Sequence, residues 1–200
     1  MLNGRFSYGP LGRHYADALR DLREARSAII AAAIIFLCGA LAGLAYPSLG
    51  EEGIAAIKGL AGQLAGQGLL PLIALIFIRN SVAASVTVVS GPLLGIIPFL
   101  GAAVNGLVFG AAISLIVRMH EATSLLKLFP HGLLELPAMV TAWGVGIRQA
   151  GWLFLRRKDQ PLSRRRRGAY RVLLLIVIPL LFAAAVMEGT SIYIALREVK

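Results

Sequence analysis

Five stretches of this chain are too apolar to be left in water. Between Ala28 and Tyr46 run 19 residues without a charge, which as an α-helix measure about 28 Å and match the hydrocarbon thickness of a bilayer. Leu69 to Ser90 is interrupted only by Arg79 and Asn80, and Gly91-Pro92 then punctuates the chain before the uncharged run Leu93 to Val117. Leu125 to Ile147 carries Pro130, His131, Glu135 and Pro137. It is expected either as one kinked span or as a re-entrant piece followed by a helix, which lipid permits only where protein covers the loosened backbone. Val172 to Leu196 closes the set, with Pro179 as the expected kink and Glu188 in its outer part.

Composition agrees. Of 200 residues 58% are apolar and only 15% charged, against roughly half and a quarter in an ordinary soluble domain. The placement of the charges then sets an expected topology. Arg5, Arg13, Arg20, Arg23 and Arg26 precede the first span, and nine basic residues lie between Arg148 and Arg171. Both segments are expected on the cytoplasmic side, which four intervening spans allow. The reading is an all-α, polytopic transmembrane bundle of about five spans with a cytoplasmic N-terminus. Residues 1–26 form a cytoplasmic amphipathic segment, and 27–200 form one transmembrane domain with a basic loop at 148–171. The long basic region before the first span also argues against a cleaved signal peptide. The same positive-inside logic accounts for the net charge of +10, so no nucleic-acid partner is expected. Cys38 is the one cysteine, and no disulfide, metal site or cofactor is expected.

Two segments flank the spans with helical amphipathic spacing. Tyr15, Ala18, Leu19 and Leu22 stand opposite Asp17, Arg20, Asp21 and Arg23, as in a helix lying on the inner leaflet. Ile54, Ile57, Leu60 and Leu64 form a weaker version on the outer side. Within the spans, Arg79, Asn105 and Glu135 fall near mid-bilayer, where a charge costs at least ~2.5–3.5 kcal/mol and normally finds a protein partner. Arg79 is expected to pair with Glu135, with Asn80, Asn105, His131 and Glu188 completing a polar cluster. That cluster reads as structural glue, as a path for an ion or small solute, or as the site of an intramembrane hydrolase. The last is disfavoured because HExxH is absent and His14 and His120 lie outside the spans. Gly39-xxx-Gly43, Gly91-xxx-Gly95 and Gly106-xxx-Gly110 fit close helix packing within or between protomers, and a homodimer is expected from them.

One set of residues resembles a known family. Ile76-Phe77-Ile78-Arg79-Asn80, Asn105-Gly106 with Gly110, Pro130-His131-Gly132-x-x-Glu135-Leu136-Pro137-Ala138, Gly144-x-Gly146-Ile147-Arg148, and Glu188 before Thr190 resemble the stage II sporulation protein M family of bacterial and archaeal membrane proteins. The most specific string is the one containing Pro130, His131, Gly132, Glu135 and Pro137. The similarity runs from about Leu69 to Thr190, and where the family has paired asparagines this chain has Arg79-Asn80. The resemblance implies a five-span protein of the prokaryotic inner membrane. It also implies a non-enzymatic scaffold in envelope or membrane remodelling, with other envelope membrane proteins as partners. Transport through the polar cluster is the alternative.

Overall fold

In a computed structural model the chain is a helical bundle. The backbone is described for residues 10–55, 59, 68–118, 122–154 and 161–198, and the side chains of these except 10–11, 122–133, 151–154 and 195–198. The long elements are α1 (Pro10–Glu24), α2 (Arg26–Ala45), α3 (Leu69–Val89), α4 (Ile96–Arg118), α5 (Ala122–Phe154), α6 (Leu162–Val172) and α7 (Ile178–Glu198), and no strand occurs among the described residues. A 3-10 turn, Pro47–Gly50, follows α2, and a π-helical turn, Leu173–Val177, joins α6 to α7.

Among the described residues, four segments are long and apolar enough to cross a membrane: Arg26–Ala45, Leu69–Val89, Ile96–Arg118 and the joined Leu162–Ile194. The helix α5 is 33 residues long, and its apolarity is diluted by Pro130, His131, Glu135 and Pro137. It runs unbroken through both prolines rather than as a re-entrant piece followed by a helix. Its length of ~50 Å exceeds the hydrocarbon thickness of a bilayer. Large apolar side chains point outward along these helices, with Ile30, Ile34, Leu37 and Leu41 each more than half exposed on α2. Such a stripe is the surface expected of a chain solvated by lipid.

The closest packing lies between α2 and α4. A Cβ on Gly39 would strike the Ala103 carbonyl, one on Gly43 the Leu107 carbonyl, one on Gly106 the Phe36 carbonyl, and one on Gly110 the Ala40 carbonyl. Two of the three Gly-xxx-Gly pairs are therefore used within one protomer to bring backbones into contact. The third seats the turn between α3 and α4. Gly91 lies against the Gly146 carbonyl and the Gln149 amide, and Gly95 against Ala150. That turn bends through left-handed conformations at Leu94 (φ 58°) and Gly95 (φ 64°). For this reason α4 starts at Ile96, not at Leu93 as the uncharged run suggests. Phe36 ties the seam to α5 by stacking on Trp143, ring centres 5.9 Å apart.

The described residues of the basic stretch 148–171 are largely helical. Arg148 and Gln149 belong to the last turns of α5, and Arg164–Arg171 to α6. Gln149 is fully buried, and its Nε2 donates to the Val88 carbonyl at 2.7 Å, stitching α5 to the end of α3. The irregular turn before α7 has a local cause. Pro179 cannot donate to the carbonyl four residues back, and the helix absorbs the defect as a π turn one step earlier.

Candidate functional site

Two polar regions stand out, one in the middle of the bundle and one at its end. The central one is built on three helices. Arg79 and Asn80 sit at the midpoint of α3, Glu135 in the first half of α5, and Glu188 in the middle of α7. Asn80, Arg79 and Glu188 are all close enough to act on the Glu135 carboxyl. Arg79 also acts on Glu188. Both carboxyl groups are thus within electrostatic reach of one cation. Among the described residues no ion pair within 4.0 Å joins Arg79 to either of them.

The floor beneath this cluster is apolar. Leu72, Ile76 and Ala185 are buried together, Phe77 meets Phe182 edge-on at 5.4 Å, and Gly189 lets α7 approach Ile73. Glu135, Asn80 and Glu188 are half-buried, whereas Arg79 is exposed. It falls on the outward stripe of α3 with Leu75, Ile78, Val82 and Val86. The cluster therefore opens sideways, toward the bilayer, rather than along a central axis. Shallow cavities lie elsewhere, one lined by Pro47, Glu51 and Arg118 and another by Arg166, Arg167 and Tyr170.

Other residues expected in the cluster stand differently. Asn105 is exposed on α4 and donates to the Gly101 carbonyl of its own helix at 2.7 Å. Pro130, His131 and Gly132 lie on α5, but their side chains are outside the described residues, as are Ile57, Leu60 and Leu64. Among the described residues no three or more His, Cys, Asp or Glu gather closely enough to hold a metal ion.

The second polar region joins α1 to the basic helix α6. Glu24 accepts from Arg148 at 2.7 Å and lies 3.9 Å from Arg164. Arg171 reaches Asp21 at 2.9 Å and Asp17 at 3.5 Å. Gly168 gives the Asp21 carboxylate room against α6. Burial pushes the Asp21 carboxyl above the usual carboxylate range, against the opposing pull of Arg171. Ala18 is fully buried and Leu22 packs against the core, leaving Tyr15 and Leu19 as the exposed apolar residues of α1's inner turns. The amphipathic helix is thus docked on protein along its acidic and small-residue side, which sequence spacing alone assigned to solvent and lipid. The signal for this was present: Asp17, Asp21 and Glu24 recur at helical spacing in a segment otherwise rich in arginine.

Both Arg-rich segments now lie at one end of the bundle, bound to each other. The family Stage II sporulation protein M matches residues 32–191. The chain belongs to this family. The match reaches back through α2, further than the motifs from Leu69 onward, so the α2–α4 glycine seam lies inside the stage II sporulation protein M region. Among curated proteins and among solved structures nothing matches the chain. Membership and the apolar helices together make it a multi-pass membrane protein.

Proposed function

We propose that the chain is a non-enzymatic scaffold or partner subunit for envelope remodelling, set in the inner membrane of a prokaryotic cell. Five spans with a cytoplasmic N-terminus form the bundle. The observation that carries this reading is the lateral exposure of Arg79 at the middle of α3, beside Glu135 and Glu188. Hydrocarbon does not accept an uncovered arginine at that depth. A membrane-embedded protein segment laid on the α3 stripe covers it, supplies polar partners and is recognised by them. A second copy of this chain is the first candidate, and another envelope membrane protein is the second. The glycine pairs do not serve this contact, because two are used between α2 and α4 and the third seats the α3–α4 turn against α5.

Reconstitution tests the reading. Purified protein in proteoliposomes is expected to leave proton and alkali-cation gradients as stable as in empty vesicles, while Arg79→Leu folds yet fails to support the cellular function. A gradient that collapses with wild-type protein and persists with Arg79→Leu would replace scaffolding with transport. Orientation is tested separately by single cysteines at Ser48 and Ser163 in a Cys38→Ala background. They are expected to react with an impermeant thiol reagent from opposite sides of the membrane, and labelling of both from one side would invert the topology.

A further inference from the structure

The arginines of α6 divide into two sets with different surroundings. Arg171 and, more distantly, Arg164 face the acidic side of α1, and Arg165 is buried and partnered. Arg166 and Arg167 are exposed and make no ion pair among the described residues. They share the outward face of α6 with Ser163 and Tyr170, and the guanidinium of Arg166 lies 5.9 Å from the centre of the Tyr170 ring. These residues line a shallow cavity of about 440 Å³.

The order of side chains along this face is informative. Leu174, 63% exposed, stands where the apolar span begins. Tyr170 follows one turn further out, then Arg167 and Arg166, then Ser163. The sequence apolar, aromatic, cationic, hydroxyl matches the sequence acyl chain, interface, phosphate, headgroup of a phospholipid. With Val172 at the hydrocarbon edge, Arg167 lies ~7.5 Å and Arg166 ~9 Å beyond it, within the headgroup layer. Acidic residues of α1 pair with Arg164 and Arg171 and leave these two, so the outward face keeps a net positive charge.

We propose that Ser163, Arg166, Arg167 and Tyr170 form a docking site for the phosphate of an anionic phospholipid. The site rests on membrane placement and not on the scaffold reading, so either can fail alone. Tyr170 sets the depth of the lipid, and the two guanidinium groups hold the phosphate oxygens by charge-assisted hydrogen bonds. The test uses the full chain reconstituted in nanodiscs of phosphatidylcholine and phosphatidylglycerol, then released into a non-ionic detergent for native mass spectrometry of retained lipid. Wild type is expected to retain phosphatidylglycerol in preference to phosphatidylcholine, and the preference should fall by about fivefold for each arginine replaced by glutamine at 166 and 167. A control with the same total charge, Arg13→Gln with Arg20→Gln, should keep the preference. Equal losses in both double variants would overturn the site in favour of bulk charge. Displacement of the lipid by millimolar inorganic phosphate would overturn it in favour of a free-anion site. A melting temperature of the 166/167 variant matching wild type confirms that loss of retention is local, and Arg166→Lys with Arg167→Lys should retain part of the preference if the fold is lowered.

Discussion

On the α2–α4 side of the bundle, glycines let two backbones touch; on the α3 side, an arginine stands at the surface halfway along a helix long enough to cross a membrane. In lipid neither contact gains much from the hydrophobic effect, since acyl chains are as apolar as leucine. The first side is held by shape. Gly39, Gly43, Gly106 and Gly110 leave no room for a methyl group, and the outward face of α2 is plainly apolar. The second side instead gathers Arg79, Asn80, Glu135 and Glu188 within electrostatic reach of one another. A seam of matched shape is finished within the protomer, whereas a charge left open to the side is unfinished until something covers it.

The sharpest way to break the comparison is to add a methyl group to the finished side. Gly43→Ala or Gly110→Ala puts Cβ against a carbonyl of the facing helix, and each should cost about 1–3 kcal/mol or more. Thermal unfolding in detergent measures this. Gly68→Ala, whose Cβ would meet only Pro71 at 3.6 Å, should be nearly silent. A seam that tolerates alanine at both positions is not packed as described.

Next in size is the charged side. Arg79→Leu strands two carboxyl groups, and Glu135→Leu or Glu188→Leu leaves the arginine with one. Because both carboxyl groups are within reach of the cation, Arg79 should couple to each glutamate by about 0.5–3 kcal/mol in double-mutant cycles. Strictly additive losses with both partners would dissolve the cluster. Coupling to Glu135 alone would reduce it to a pair.

Smaller effects belong to the α1–α6 end. Glu24→Gln loses its bond to Arg148, and both side chains are partly exposed, so the loss should not exceed about 1 kcal/mol. The smallest effect concerns Asp21 and has a definite sign. Its carboxyl holds a proton more tightly in the folded chain than in the unfolded one, so its contribution to stability is full below the ordinary aspartate range and is lost as pH rises through the raised value. Asp21→Asn should therefore flatten the rise of that cost toward neutral pH and leave α1 docked. Melting curves across a pH series check this, and a variant that loses stability more steeply toward neutral pH than wild type would reverse the assignment.

Much of this was legible in the sequence, for physical reasons that also explain what was not. Apolar runs longer than a bilayer is thick read directly as helices, and the family string around His131 and Glu135 identified the relationship. The glycine pairs announced close contact but not with what, because a small-residue face fits a helix of the same chain as well as one from another. Arg79, Asn80, Glu135 and Glu188 were recognisable as polar groups within apolar runs. Asn105 shares that character, yet the rotation of α4 turns it outward to bond Gly101, and helix rotation is set by packing that a single sequence does not display. Gln149 lay hidden just past the apolar limit of its span. The acidic face of α1 was read as solvated because its arginine partners sit more than a hundred residues away in the chain.

The central claim, that one side of the bundle is complete and the other awaits a protein neighbour, is tested most directly by photo-crosslinking in native membranes. Val82 on α3 and Leu41 on α2 are comparably outward, at 55% and 66% exposure. A photoreactive residue at Val82 should give a protein adduct of discrete mass, and the same residue at Leu41 should give lipid adducts. Lipid adducts at both positions, or a protein adduct at Leu41 alone, would contradict the account.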